Sequence, residues 1–211
     1  MSENAFATFL TPNYVRDSHD PFLMPDMAAA VERLHKAKVD GEIVTVWSDY
    51  DADGVPGGVM LTQLLRMLGF SVIHYIPHRH EEGFGLNNGG IQKLAAQGAK
   101  LIITIDCGTS DVEPVDFANS LGMDVIITDH HEQPPVLPKA LVVNPKRHGS
   151  QYPFSGLCGS GVAWKLGQAY LQKYRPENFA DGQEKWLLDL VGIATLSDRV
   201  PLVGENRMLA Y

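Results

Sequence analysis

Three short stretches concentrate the residue types that hold metal ions. They are Asp49-Tyr50-Asp51-Ala52-Asp53-Gly54, Asp106-Cys107-Gly108 and Asp129-His130-His131. In an extended chain, residues i, i+2 and i+4 point to one side, so Asp49, Asp51 and Asp53 are expected to converge before the chain turns. Packed carboxylates repel unless protonated or neutralised, and a divalent cation is the economical neutraliser. Carboxylates with one or two imidazoles suit Mn2+ or Mg2+, and could also hold Zn2+ or Co2+. Four or more carboxylates are too many for one catalytic ion. A pair of ions about 3.5–4 Å apart, sharing a carboxylate and clamping a phosphate, fits better.

Each stretch also has a plainer use. Asp-x-Asp-x-Asp-Gly opens a calcium-binding EF-hand loop, which needs Glu at its twelfth position; counted from Asp49, that position is Met60. Asp53 could cap the helix that follows it. Asp106 could be a turn residue, and His130-His131 could be loop histidines. These readings would all have to hold together at three separate strand ends.

The segments around the three stretches predict how they are positioned. Glu42–Ser48, Ser71–Ile76, Lys100–Ile105, Asp124–Thr128 and Ala140–Val143 are short, apolar and β-rich, and predict five strands. Residues 25–39, 54–69, 87–97, 113–121, 160–174 and 183–196 predict helices. Pro25 and Asp26 suit a helical first turn. Alternating strands and helices predict an α/β fold: a mostly parallel five-stranded sheet with helices on both faces. Ligands of such sheets bind beyond the carboxyl ends of the strands, where the acidic stretches lie.

Composition narrows the class further. The chain has 211 residues, 45% hydrophobic and 20% charged, the usage of an ordinary globular domain. Its 2 cysteines, Cys107 and Cys158, exclude a disulfide framework and a Cys-x-x-Cys zinc site. No stretch reaches about 18 apolar residues, so no membrane span is expected. Met1–Asn13 has no basic region followed by an apolar run, and a reducing cytoplasm is the expected location. Seventeen basic against 25 acidic residues leave a net charge of −8. A domain that coats a polyanion usually runs basic, so the charge taken alone argues against nucleic acid.

Asp129-His130-His131 resembles the signature triplet of the DHH phosphoesterase superfamily. DYDADG at 49–54, IITIDCGTSD at 102–111, ITDHHE at 127–132 and VVNPKRHGSQYPFSGLCGSGVAWKL at 142–166 resemble its RecJ-like branch, the single-strand-specific DNA exonucleases. HDPFLMPDM at 19–27, IPHRHEEGFGLN at 76–87 and VGIATLSDRVPLVGENR at 191–207 do so as well. The resemblance covers roughly residues 19–211. It implies a DHH catalytic domain over that range, preceded by an extension over residues 1–18.

The resemblance implies roles residue by residue. Asp51, Asp53, Asp106, His130 and Asp198 match metal-binding positions, with Asp106 shared by two Mn2+ or Mg2+ ions. Asp49 is either a ligand or stands behind one. His131 matches a position facing the substrate phosphate, and Asp129 would orient an imidazole. Asp198 enters through the resemblance alone. The implied activity is metal-dependent 5′→3′ hydrolysis of single-stranded DNA by a monomer, with a single-strand-binding protein or helicase as partner of the full-length protein. Branches that cleave pyrophosphate or short nucleotides carry histidine four residues before the second aspartate of the first motif; Trp47 stands there. Leu196-Ser197-Asp198 stands where Val-Ala-Asp is more usual. Two rival functions are a DHH phosphatase of short oligonucleotides or small nucleotides, and a non-catalytic DHH scaffold. Relatives carry a second DHH-associated domain and an oligonucleotide-binding barrel, for which the chain has no room; weak, distributive digestion is therefore expected of these residues alone.

Other segments offer phosphate contacts. Backbone N–H groups of Gly159, Ser160 and Gly161 at a helix start could bind phosphate, or the segment could be a tight turn capped by Ser160. Arg79, beside His80 and Gly83–Gly85, could contact phosphate or stay solvated. Lys146, Arg147 and His148 form the compact basic cluster. Tyr152 and Phe154 could stack on bases, with core packing as the plainer role.

Overall fold

The computed structural model describes residue 6 and residues 9–211. Five strands, β1 (Ile43–Ser48), β2 (Ser71–Tyr75), β3 (Ala99–Ile105), β4 (Asp124–Thr128) and β5 (Leu141–Val143), form one sheet in the order β2-β1-β3-β4-β5. Every pairing is parallel, so the sheet is wholly rather than mostly parallel. The α-helices from residue 27 onward are α1 (Met27–Val39), α2 (Gly54–Met67), α3 (Asn88–Ala96), α4 (Val112–Ser120), α5 (Gly159–Tyr174), α6 (Leu188–Ser197) and α7 (Gly204–Leu209).

Strand periodicity sorts the core into two layers. Val44 and Val46 of β1, Leu101, Ile103 and Ile105 of β3, Ile126 of β4 and Val143 of β5 pack with the apolar stripes of α1, α2 and α5. Their neighbours Trp47, Ile102, Val125, Ile127 and Val142 pack on the opposite side with Ile91 and Leu94 of α3 and Val115 and Ala118 of α4. Burial on both faces explains why the strands read as unbroken apolar runs instead of alternating ones.

Chain order, more than layering, positions the acidic strand ends. From β1 the chain steps outward to β2, then crosses back over β1 to β3 and continues to β4 and β5. The direction reverses between β1 and β3, and their carboxyl ends border the crevice that such a reversal opens.

The elements depart from expectation at several points. Asp26 opens α1 through its backbone alone: its C=O accepts from Ala30 N, while it adopts a left-handed φ of 57° and its side chain makes no cap bond. Its carboxylate instead accepts from Val142 N and pairs with Arg147, fastening the edge strand β5. The helix expected over 183–196 is split into a 3-10 turn, Gln183–Leu187, and α6. Helix α7 lies in sequence for which no element is predicted.

Helix α7 has a structural task. Glu205 is fully buried and pairs with Lys165 of α5 at 2.5 Å. Lys165 also donates to Ser18 Oγ, His19 O and Gln168 Oε1, and Tyr152 donates to Glu205 Oε2. The next residue, Asn206, donates to Gly156 O and Pro201 O, so α7 ties down the loop before α5 and the turn after α6. The segment before residue 19 is tied in too, since Arg207 donates to Phe9 O.

Removing one partner of a buried pair strands the other charge, at a cost of about 3–5 kcal/mol, whereas replacing both with apolar groups costs much less. Urea unfolding of Lys165→Met is therefore expected to show a loss of about that size, with partial recovery in Lys165→Met/Glu205→Leu. Wild-type stability in Lys165→Met would contradict the burial of this pair.

Candidate metal centre

Three acidic residues follow the strand ends at one level because each prolongs the backbone ladder by one bond. Asp49 N donates to Ile105 O, Asp106 N to Thr128 O, and Asp129 N to Val143 O. Asp106 then adopts a left-handed φ of 62°. That conformation costs a non-glycine residue roughly 1–2 kcal/mol, and Thr104 Oγ1, donating to Cys107 O, braces the turn behind it.

Asp49, Asp51 and Asp53 do converge on the crevice, but through a turn rather than by strand alternation. Strand β1 ends at Ser48, and Asp51 Oδ1 accepts from Asp53 N and Gly54 N in a tight Asx turn. Asp51 stays exposed while Asp49 and Asp53 are buried. Asp53 makes no side-chain bond to its own helix, α2. Its carboxylate reaches across and accepts from Gly159 N at 2.6 Å and Ser160 N at 2.8 Å, while Ser160 Oγ donates to Asp53 O. The N-terminus of α5 is thus occupied by an internal carboxylate, the partner its dipole favours. This corrects the expectation that Gly159, Ser160 and Gly161 offer N–H groups to a phosphate: all three are buried, and the first two N–H groups are given to Asp53. Gly159 is required by close approach, since a Cβ there would stand 2.4 Å from Asp106 Cβ.

Donor atoms gather in three overlapping sets, each within 4.8 Å: Asp49, Asp51 and Asp106; Asp106, His130 and His131; and Asp53, His130 and Asp198. His130 Nε2 lies 3.1 Å from Asp106 Oδ1, 3.8 Å from Asp198 Oδ2 and 4.0 Å from Asp53 Oδ2. Ligands held at about 2.1 Å from one ion stand roughly 3–4 Å apart, so these spacings suit coordination. Asp106 Oδ1 and Asp49 Oδ1 are buried without a hydrogen-bond partner. A cation between them would satisfy both, so the residues present fit divalent ions. Asp198 arrives from the C-terminal end of α6, and the following Arg199 is another left-handed residue, at φ 61°.

The electrostatics agree. Burial, added to the charges of Asp53, Asp51 and Asp129, pushes the Asp106 carboxyl up to about 10. Burial also raises Asp198 and Asp49, the latter helped by Asp51. Asp129 goes the other way. Burial alone would raise it, but hydrogen bonds and charge from His131, with bonds from Thr109, outweigh that and hold it at about 2. His131 Nδ1 donates to Asp129 Oδ1 at 2.7 Å, which raises the imidazole above its ordinary value and leaves Nε2 free on a half-exposed ring. Sequence reasoning missed the buried support behind this pair. Asn144 donates to His131 O and Thr109 N donates to Asp129 Oδ2. No spacing rule marks an Asn or a Thr for such a task.

Other sequence candidates sort cleanly. Arg79 is exposed, and its guanidinium stacks 4.4 Å from the Tyr50 ring centroid at the rim of the acidic turn. Arg147 is pinned by Asp26 and Lys146 pairs with Glu132, so the basic cluster faces its own acids. Trp47, at the position where related branches place histidine, is fully buried on the far face against Tyr75. Tyr152 belongs to the Glu205 network. Both cysteines are buried, and burial pushes their thiols up, away from nucleophilic use.

The sign of the Asp106 shift sets a pH test. Its folded pKa lies above the unfolded value, so in the metal-free chain its contribution is complete below the ordinary carboxylate range and is lost as pH rises toward about 10. A divalent ion displaces that proton. At fixed Mn2+ the Tm difference between Mn2+ and EDTA is therefore expected to widen with rising pH, and the stabilisation is about 2.7 kcal/mol where that Mn2+ stands at 100 times Kd. Asp106→Asn, which mimics the protonated carboxyl, is expected to keep the EDTA Tm near neutral pH and lose the Mn2+ response.

Known proteins share this arrangement of sequence and fold. The single-stranded-DNA-specific exonuclease RecJ of Bacillus subtilis (strain 168) is 42% identical over 195 residues, covering 92% of this chain and 24% of that protein. RecJ of Escherichia coli (strain K12) is 38% identical over 190 residues, covering 86% of this chain and 33% of that protein. The chain thus spans a quarter to a third of the length of these relatives. The crystal structure of an exonuclease RecJ bound to manganese superposes with a TM-score of 0.78 at 31% identity, covering 88% of this chain and 46% of that one. The family model for the N-terminal domain of the DHH family matches residues 43–195, from the first residue of β1 into α6, and the chain belongs to that family.

Proposed function

We propose that this chain is the catalytic domain of a two-metal phosphodiesterase that removes nucleotides from the 5′ end of single-stranded DNA. The observation that carries this reading is the overlap of the three donor sets: Asp106 belongs to two of them and His130 to two. One cluster can thereby serve two adjacent ions that share the Asp106 carboxylate. Asp49 and Asp51 share one set with Asp106, and His130 links Asp106 to the set it forms with Asp53 and Asp198. The oxygen-rich set with one or two imidazoles favours Mn2+ or Mg2+. Relatives named as single-strand-specific DNA exonucleases support the substrate class, and the manganese-bound structure supports the metal.

Bound divalent ions would supply Lewis-acid polarisation of a phosphoryl oxygen and a lowered pKa for attacking water. The protein's own residues do the rest. Asp129 engages His131 Nδ1 and so leaves Nε2 to donate to a phosphoryl oxygen or to the leaving oxygen. Thr109 and Asn144 hold that pair in place. Arg79, steadied on Tyr50, is positioned to receive a phosphate near the acidic turn. The buried, aromatic-packed Trp47 removes the histidine ligand of the pyrophosphate-cleaving branches and favours a nuclease reading. Within the described residues, no helix is long and apolar enough to cross a membrane. We further propose a cytoplasmic enzyme acting within a longer protein, in which residues 19–211 form the catalytic domain. A single-strand-binding protein or helicase would be a partner of that longer protein.

With Mn2+, the chain is expected to release mononucleotides from a 5′-labelled single strand. EDTA should abolish this, and Asp106→Ala should lower the rate at least 1,000-fold (about 4 kcal/mol) while the domain stays folded by circular dichroism. Cleavage confined to di- and trinucleotides would shift the reading to a short-oligonucleotide phosphatase. Absence of divalent binding by calorimetry would leave a non-catalytic scaffold.

A further inference from the structure

The loop between β2 and α3 presents an aromatic ring that metal binding and phosphate contact leave unused. Phe84 is 55% exposed. Its ring meets the His131 ring edge to face, with centroids 6.0 Å apart and planes at 78°. The contact places a phenyl surface next to the imidazole whose Nδ1 is held by Asp129.

The loop holds this ring outward by construction. Gly83 and Gly85 flank it with φ of +80° and +78°, a conformation L side chains rarely adopt. Gly85 has no room for a Cβ, which would stand 2.6 Å from Asp111 Oδ2. The same Asp111 oxygen accepts from Leu86 N at 2.7 Å, and Leu86 is buried in the core beneath. Before the ring, Glu82 accepts from Tyr75 Oη, His78 N and Lys93 Nζ. Phe84 is therefore suspended between two anchors, outside the core and beside the reacting centre. The loop also carries Arg79, so one segment offers a cation for phosphate and a ring for a base.

We propose that Phe84 is the platform on which the base of the terminal nucleotide stacks, a substrate-positioning residue that selects base-bearing ends. This assignment rests on the phosphodiesterase reading. Stacking on an aromatic side chain is worth about 1–3 kcal/mol per base and tolerates any base, because every base has a π-face.

The test uses the 211-residue chain with Ca2+ replacing Mn2+, and two 5′-phosphorylated single strands. One carries 2-aminopurine as its terminal base, and the other an abasic terminal residue. The Phe84→Ala variant is expected to bind the base-bearing strand about 5- to 150-fold more weakly than wild type. It should bind the abasic strand as wild type does. Phe84→Tyr should retain the preference and the 2-aminopurine quenching, and Phe84→Leu should lose both. Equal weakening of both strands, unchanged binding of both, or no binding by wild type would overturn the assignment. Mn2+-dependent hydrolysis by wild type, measured alongside, separates the two levels. Its absence sinks the phosphodiesterase reading, whereas hydrolysis with base-independent binding sinks only the role of Phe84.

Discussion

Repulsion among buried carboxylates is the constraint around which this molecule is organised. Asp49, Asp53 and Asp106 are almost completely enclosed, with Asp51 and Asp198 close by. Charges brought out of water so close together would be ruinous without compensation. The protein compensates in three ways. Asp53 receives the N-terminus of α5. Asp106 holds its proton to about 10 when no cation is present. Two carboxylate oxygens are left unpartnered where a cation would satisfy them.

Much of the remaining structure supports that cluster at one remove. The topological reversal between β1 and β3 brings Asp49 and Asp106 side by side. Gly159 lets α5 approach Asp106 closely enough to serve Asp53. Asn206 of α7 anchors the loops that deliver the start of α5 and the end of α6. The Lys165–Glu205 pair anchors α7 in turn. A long relay of packing therefore stands behind a few ångströms of site geometry, where small misplacements are costly.

The net charge of −8 counts at first against a polyanionic partner. The arrangement weakens that inference, because at least five acidic residues are gathered at one point. On the proposed reading, bound divalent ions would invert the local sign where a phosphate approaches. The basic cluster offers little competing attraction, since Arg147 and Lys146 are held by Asp26 and Glu132. Net charge informs about the whole surface, whereas recognition depends on a local field.

The sequence by itself determined the α/β class, the five strands, and the acidic and histidine residues at their ends. These are local properties: apolar runs of strand length, helical periodicity, and residue types that are expensive to bury without purpose. Tertiary structure alone decided the partners. Asp53, readable as a metal ligand or as the cap of its own helix, caps not that helix but α5, more than a hundred residues downstream. Gly159–Gly161 are readable as a phosphate loop or as a tight turn, and the N–H groups of Gly159 and Ser160 go to that carboxylate. Asp198 gains its meaning from α6 packing against the crevice, which no spacing encodes. Asn144, Thr109 and Phe84 lie in segments that carry the resemblance, but only the fold sets them against His131 and Asp129. Local pattern records which face of an element is buried, but the partner across that face is chosen by chain topology and close packing.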